Sequence, residues 1–221
     1  MKQELVLTAD GSTSIFIEEL DEHYHSIHGA LQESKHVFIN AGLQQKCQQN
    51  DTISILEIGF GTGLNALLTC IENDKLKKHI NYVAIEKFPL PENIYKQLNY
   101  CSLIDNDNCS NIFDKLHHCT WMQPTMINNN FQLTKIQQDF NEVHVKDEFD
   151  IIYFDAFAPS AQPELWTETI FKSMYEALKT NGILVTYCAK GLVKTTMKNV
   201  GFTVESLPGP VGKREMTRAR K

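Results

Sequence analysis

Three of the chain's 11 glycines fall within five residues, Gly59-Phe60-Gly61-Thr62-Gly63, in a sequence of 221. The stretch Ile53-Ser54-Ile55-Leu56-Glu57-Ile58 before them reads as a buried strand. Leu64, Leu67, Leu68 and Ile71 after them have helical spacing over Leu64–Glu72. A glycine turn between strand and helix sets backbone N–H groups and a helix N-terminus at the carboxyl edge of a sheet, where open α/β folds bind ligands. Glu57 stands two residues ahead of the loop. Glu86 closes the next strand, Asn81-Tyr82-Val83-Ala84-Ile85-Glu86, 23 residues beyond Gly63. A carboxylate there can accept both hydroxyls of a ribose, so loop, helix and distal acid together point to a nucleoside site. The glycine turn alone could equally be structural. Its spacing is G-x-G-x-G, not the G-x-G-x-x-G of dinucleotide binders. With no obvious substrate domain, that argues against an NAD dehydrogenase.

A second acid, Asp155, ends the strongly apolar strand Phe149–Asp155, which should lie beside the glycine-loop strand and reach the same sheet edge. Phe157 follows it. An Asp at a strand end is often a cap or turn former, and Phe157 reads equally well as core; residue type alone favours that plainer reading. Asp139 comes just after the strand Phe131–Ile136, where a turn residue is common. Tyr24-His25-Ser26 near the start offers a histidine able to act as a base, or simply a packed segment. Trp166 reads as core. Lys213, Arg214, Arg218, Arg220 and Lys221, with Glu215 the only acid among the last nine residues, make a basic end that could grip phosphate or be a solvated, partly frayed tail.

Alternating strands and helices must position these groups. Leu5 to about Gln45 reads as a strand or hairpin followed by a helix. Beyond the segments already named, Pro163–Lys179 reads as a helix stopped by Asn181-Gly182, Ile183–Cys188 as a strand and Val193–Val200 as a helix. Gly201–Glu205 and Lys213–Thr217 form a terminal antiparallel hairpin. The pattern predicts an α/β, doubly wound, mostly parallel sheet. About 44 residues join the strands ending at Glu86 and beginning at Phe131, where a dozen suffice for a crossover. The stretch 87–130 is therefore read as a helical insertion that shapes a substrate site. One domain over 1–221, with 1–50 as an N-terminal segment, suits this length.

Composition narrows the class. The chain is 42% hydrophobic and 22% charged with a formal charge of −6, which excludes disordered and collagen-like chains. No apolar run approaches the ~18 residues of a transmembrane helix, and the N-terminus has no apolar signal core, so a cytoplasmic location is expected. The six cysteines include no C-x-x-C pair; neither zinc nor a redox pair is expected, and reduced thiols are the simplest reading. No repeat is visible.

Leu56-Glu57-Ile58-Gly59-Phe60-Gly61-Thr62-Gly63-Leu64-Asn65 resembles the first motif of Rossmann-like class I S-adenosyl-L-methionine (SAM) methyltransferases. The Gly-Phe-Gly-Thr-Gly-Leu-Asn wording resembles the branch that completes 5-methylaminomethyl modification of the tRNA wobble uridine. Tyr24-His25-Ser26, Gly29–Ser34 and His36-Val37-Phe38 resemble that branch's entry segment, and Glu86-Lys87-Phe88-Pro89-Leu90 its second-strand end. Asp155-Ala156-Phe157-Ala158-Pro159 with Pro163-Glu164-Leu165-Trp166 resembles its most distinctive motif. Thr186-Tyr187, Gly191, Gly201-Phe202 and Gly212-Lys213-Arg214-Glu215-Met216 complete a match spread over nearly the whole chain.

The resemblance implies a SAM-dependent N-methyltransferase that converts 5-aminomethyl(-2-thio)uridine to its methylaminomethyl form in the tRNA anticodon, without metal. It implies that Glu57, Gly59, Phe60, Gly61, Thr62, Gly63, Asn65, Glu86, Lys87, Asp139 and Tyr24 hold the cofactor. Asp155 and Phe157 serve catalysis, and Lys190, Lys194, Lys213 and Arg214 contact RNA. Some relatives are fused to a flavin oxidoreductase that first removes a carboxymethyl group. A chain of 221 residues leaves no room for one, so a functional link to a separate enzyme making the aminomethyl precursor is expected. After Gly191 the family tends to carry two arginines where this chain has Lys194-Thr195. The alternatives are a SAM methyltransferase for a small amine or a protein, and a non-catalytic nucleotide-binding module.

Overall fold

The computed structural model describes residues 2–48 and 50–221; Met1 and Gln49 of the N-terminal segment lie outside the described residues. The chain starts with a small antiparallel sheet of β1 (Gln3–Leu7), β2 (Thr13–Ile17) and β3 (Glu22–His23). A continuous helical stretch follows, as α1 (Ala30–Ser34), a π-helical segment Lys35–Leu43 and α2 (Gln44–Lys46).

The main sheet takes β4 (Thr52–Ile58), β5 (His79–Glu86), β6 (Thr125–Asn128), β7 (Phe131–Gln137), β8 (Phe149–Phe154), β9 (Leu178–Thr186), β10 (Thr203–Pro208) and β11 (Glu215–Arg220). Its order is β10-β11-β9-β8-β4-β5-β7-β6. The five central strands β7, β5, β4, β8 and β9 run parallel, while β6 and the β10–β11 hairpin are antiparallel. From β4 the chain moves first to β5 on one side and later to β8 on the other. That switch point opens a crevice at the carboxyl ends of β4 and β8.

Strand alternation decides which side chains face which layer. On β4, Ile53 and Ile55 join the core that contains Phe38, Leu67, Tyr82 and Tyr153, under α3 (Leu64–Leu76). Leu56 and Ile58 face the opposite core, with Phe154, Phe171 and Met197. Helices α7 (Glu168–Ala177) and α8 (Gly191–Asn199) cover that second face. The sheet is thus covered on both sides, which is why its central strands are nearly continuous apolar runs.

Segment 87–130 holds three short helices, α4 (Glu92–Tyr95), α5 (Tyr100–Leu103) and α6 (Cys109–His118), and then β6. Cys101 on α5 and Cys109 at the start of α6 are joined by a disulfide, Cα atoms 5.4 Å apart. This corrects the expectation of six reduced thiols; the turn between two short helices brings the pair into bridging range. Cys47, Cys70, Cys119 and Cys188 are free.

Two boundaries also differ. The helix expected over Pro163–Lys179 is a 3-10 turn, Pro163–Trp166, followed by α7, whose cap Thr167 accepts a bond from the Ile170 N–H. Asn181-Gly182 does not stop that helix. It lies within β9, which begins at Leu178 because this fully buried side chain pairs with Phe149 before the register shifts. The basic end is no frayed tail: β11 pairs on both edges, with β9 and β10.

Candidate active site

A cleft of about 730 Å³ opens at the switch point, a usual size for a small-molecule site. The glycine loop forms one wall. Gly59 has φ +92°, and a Cβ there would stand 2.7 Å from the Asp155 carbonyl oxygen, so only glycine lets the loop pass β8. The Gly59 and Phe60 N–H groups both donate to the Ile85 carbonyl (3.0 and 3.2 Å), tying the loop to β5. Gly61 N–H donates to Glu86 Oε2 (3.0 Å), and Phe88 N–H to Glu86 Oε1 (2.8 Å). Burial pushes the Glu86 carboxyl up, and these N–H donors pull it back. Its remaining lone pairs suit a ribose diol.

Thr62 is held from both sides. His25 Nε2 shares a 2.7 Å hydrogen bond with its hydroxyl, and His117 Nε2 donates to its carbonyl (3.2 Å). Burial pushes His25 down to about 4 and His117 to about 3, so both are neutral at pH 7. His117 and Trp121, both packed edge-on against Phe60, bring segment 87–130 to this loop. Only Lys87 and Phe88 of that segment line the cleft itself. Lys135 buttresses the same corner: its buried ammonium donates to the His117 carbonyl (2.6 Å) and lies 4.8 Å from the Trp121 ring and 5.6 Å from that of Phe60. Desolvation lowers its pKa.

Asp155 follows β8 directly, its N–H donating to the Ile58 carbonyl (3.0 Å), so glycine loop and acid sit side by side as the sequence predicts. The Asn65 amide on α3 donates to Asp155 Oδ2 (2.8 Å) and to Glu57 Oε1 (3.0 Å). Burial raises Asp155 to about 7; Asn65 and Lys213 pull it down, while Glu33 pushes it up. Glu57 shares the inward face of β4 with Ile53 and Ile55, is fully buried and does not line the cleft. Burial holds its carboxyl well above the usual range. Glu57 therefore touches the cleft lining through Asn65, and alternation along β4 already points it beneath α3. Asn65 lines the cleft, and its Oδ1 is buried with no hydrogen-bond partner among the described residues. That spare acceptor, beside two acids, suits the ammonium end of a ligand whose ribose reaches Glu86.

Aromatic groups line the cleft as well. Tyr24 packs edge-on against Phe157, centroids 5.0 Å apart, and its ring is also what a Cβ on Gly61 would meet. Trp166 is core, as expected, but its Nε1 donates to the Phe157 carbonyl (2.8 Å) and so fixes that residue. Asp139 caps the turn at Phe140–Glu142 and pairs with Lys87 (2.6 Å), which holds its carboxyl down at about 2. Both line the cleft. Gly63 does not; it lies behind, beside Phe60 and His117.

A second hollow of about 520 Å³ adjoins the first through Ala158, Tyr187 and Lys213 and contains Lys190 and Arg214. Lys194 lines neither hollow. Its ammonium is engaged by Ser206 Oγ and Glu215 Oε2, both at 2.7 Å. Arg218 and Arg220 pair with Glu205, and Lys221 with Asp147. Sequence reasoning assigned no role to Lys135, Glu33 or Tyr187. Alternation with Phe131 and Leu133 signals that Lys135 points inward; nothing local signals the other two.

Comparison with known proteins places the chain. A model of a family described as S-adenosyl-L-methionine-dependent methyltransferase matches residues 105–221. The tRNA 5-methylaminomethyl-2-thiouridine biosynthesis bifunctional protein MnmC of Leptospira interrogans is 31% identical over 223 residues, covering 96% of this chain and 34% of that protein. The protein of the same name from Pseudoalteromonas atlantica is 31% identical over 231 residues, 96% of this chain and 32% of its own length. This chain thus spans about a third of the curated relatives it matches. Among solved structures, MnmC2 from Aquifex aeolicus superposes with a TM-score of 0.81 at 26% identity, over 99% of this chain and 69% of that one. Spermidine synthase from Thermotoga maritima shares the fold, with a TM-score of 0.58 at 14% identity over 100% of this chain and 71% of that one.

Proposed function

This chain belongs to the S-adenosyl-L-methionine-dependent methyltransferase family, and from that premise we propose that it methylates the amine of 5-aminomethyl(-2-thio)uridine at the wobble position of tRNA. One observation carries the reading: a buried carboxyl, Asp155, raised to about 7, stands beside the glycine loop in a cleft with room for both a nucleoside cofactor and a base. Bound there, SAM supplies a methyl on a sulfonium, an electrophile that needs only an uncharged amine in line. Glu86 would take the ribose, Asn65 the ammonium end, and Gly59, Phe60, Gly61 and Thr62 the wall between, the Asn65 Oδ1, without a partner among the described residues, being the mark of the fit.

An alkylamine has a pKa near 10.4 and is mostly protonated at neutral pH. The cleft must therefore remove a proton from nitrogen. Desolvation lowers the amine's pKa, and Asp155 near 7 is a far better matched acceptor than a carboxylate near 4. Phe157 and Tyr24 offer rings on which an unstacked anticodon base can rest. Lys190 and Arg214, in the adjoining hollow, are the groups we assign to phosphate. A tRNA substrate sets the work in the cytoplasm and links it to whichever enzyme makes the aminomethyl precursor. The names of the relatives support this choice of substrate over a small amine or a protein.

The test is incubation of the protein with methyl-labelled SAM and bulk tRNA from a strain lacking the corresponding gene. Label should appear in the wobble nucleoside after digestion. Label in protein or free amine, with none in tRNA, would overturn the assignment.

A further inference from the structure

Lys213 forms the partition between the two hollows. Its ammonium lies 4.0 Å from the centre of the Tyr187 ring and 2.5 Å from Glu33 Oε1. The other oxygen of Glu33 accepts the Ser26 N–H (2.8 Å), and the Tyr187 hydroxyl donates to the Ala156 carbonyl (2.9 Å), one residue from Asp155. The turn that carries Lys213 is itself pinned to the N-terminal segment. His36 Nε2 donates to the Pro208 carbonyl (2.8 Å), and the His28 ring fills the space a Cβ on Gly212 would need. The Glu33 side chain is only 8% exposed. Drawing Lys213 away to a phosphate would leave that carboxylate buried and unpaired, a costly state.

We propose that Lys213 is a positioning residue for the methyl transfer: with Glu33 it sets the electrostatic field at the Asp155 carboxyl, instead of gripping tRNA phosphate. The proposal rests on the reading of Asp155 as the proton acceptor. The groups whose hydrogen bond or charge reaches Asp155 are Asn65 from α3, Glu57 from β4, Tyr82 from β5, Tyr187 after β9, Glu33 from α1 and Lys213 from the β10–β11 turn. Burial is the largest influence on the acid; Lys213, the one cation among these groups, pulls it back down against burial and against Glu33, with which it lines the same cleft. Removing it raises the Asp155 midpoint; removing Glu33 lowers it.

The test follows the Asp155 carboxyl by carbon-13 NMR titration, together with the pH profile of kcat on tRNA, in Lys213→Met, Lys213→Arg and Glu33→Gln. Lys213→Met should move the midpoint and the acid limb of kcat up, by at most about one pH unit and so at most about tenfold in rate on that limb. Glu33→Gln should move both down, and Lys213→Arg should restore the wild-type position, while KM for tRNA and its salt dependence stay unchanged. An unmoved midpoint in both Lys213→Met and Glu33→Gln overturns the proposal. So does a raised KM with a weaker salt dependence and an unmoved midpoint, the behaviour of a phosphate contact. If the wild type transfers no methyl to tRNA, the substrate assignment fails on its own, and the titration still decides whether Lys213 governs Asp155.

Discussion

Replacing Asp155 by Asn should lower methyl transfer and raise stability together. Burial lifts the folded carboxyl to about 7 from an ordinary 3.8. Between those values the folded chain holds a proton that the unfolded chain has released. Stability is therefore full below about pH 4 and falls as pH rises towards 7, after which the loss is complete. Roughly three pH units at 1.36 kcal/mol each set a ceiling of about 4 kcal/mol. Asn keeps the bond from the Asn65 amide and carries no charge, so its gain over Asp should be larger at pH 8 than at pH 5 by about 2–3 kcal/mol, because about two of those three pH units lie above pH 5. For a chain of this length that is a difference of roughly 4–12 °C between the melting-temperature gains at the two pH values.

Urea unfolding of both proteins at pH 5 and pH 8 reads this out directly, and methyl transfer with SAM calorimetry completes the comparison. Turnover should fall about 100- to 10,000-fold, the usual contribution of a positioned proton acceptor, with SAM binding retained. A variant that is less stable at pH 8, or shifted equally at both pH values, would refute the reasoning and leave Asp155 a turn former. Unchanged turnover would remove it from the mechanism.

Gly59→Ala should cost about 1–3 kcal/mol and weaken SAM binding in calorimetry, because its φ of +92° and the 2.7 Å approach to the Asp155 carbonyl leave no room for a methyl. Lys190→Ala combined with Arg214→Ala should weaken tRNA binding and reduce its salt slope by roughly one per lost contact. Lys194→Met, whose ammonium is engaged by Ser206 and Glu215, should leave tRNA binding alone and lower stability by about 1 kcal/mol or less. Thiol titration of the unfolded, unreduced chain should count four free cysteines and gain two on reduction. Breaking the bridge should cost about 2–3 kcal/mol for a loop this short.

The placement of residues at the sheet edge was largely legible from the chain alone. A glycine turn between an apolar strand and a helix, and acids at Glu86 and Asp155 closing later strands, depend on period and turn chemistry, which act between near neighbours. In a parallel sheet, strand ends converge on one edge whatever else the chain does. Glu57 was half legible: its strand position was correct, and alternation along β4 turned it inward behind Asn65. What tertiary structure alone decided are the pairings between distant segments. His117 meets Thr62 55 residues away, and Lys213 meets Glu33 across 180. Lys194 is drawn to Glu215, and the basic end becomes an inner strand. A charge carries no local signature of its partner. Which carboxylate it reaches depends on strand order and on the path of the turn that bears it, and these are settled only when the whole sheet closes.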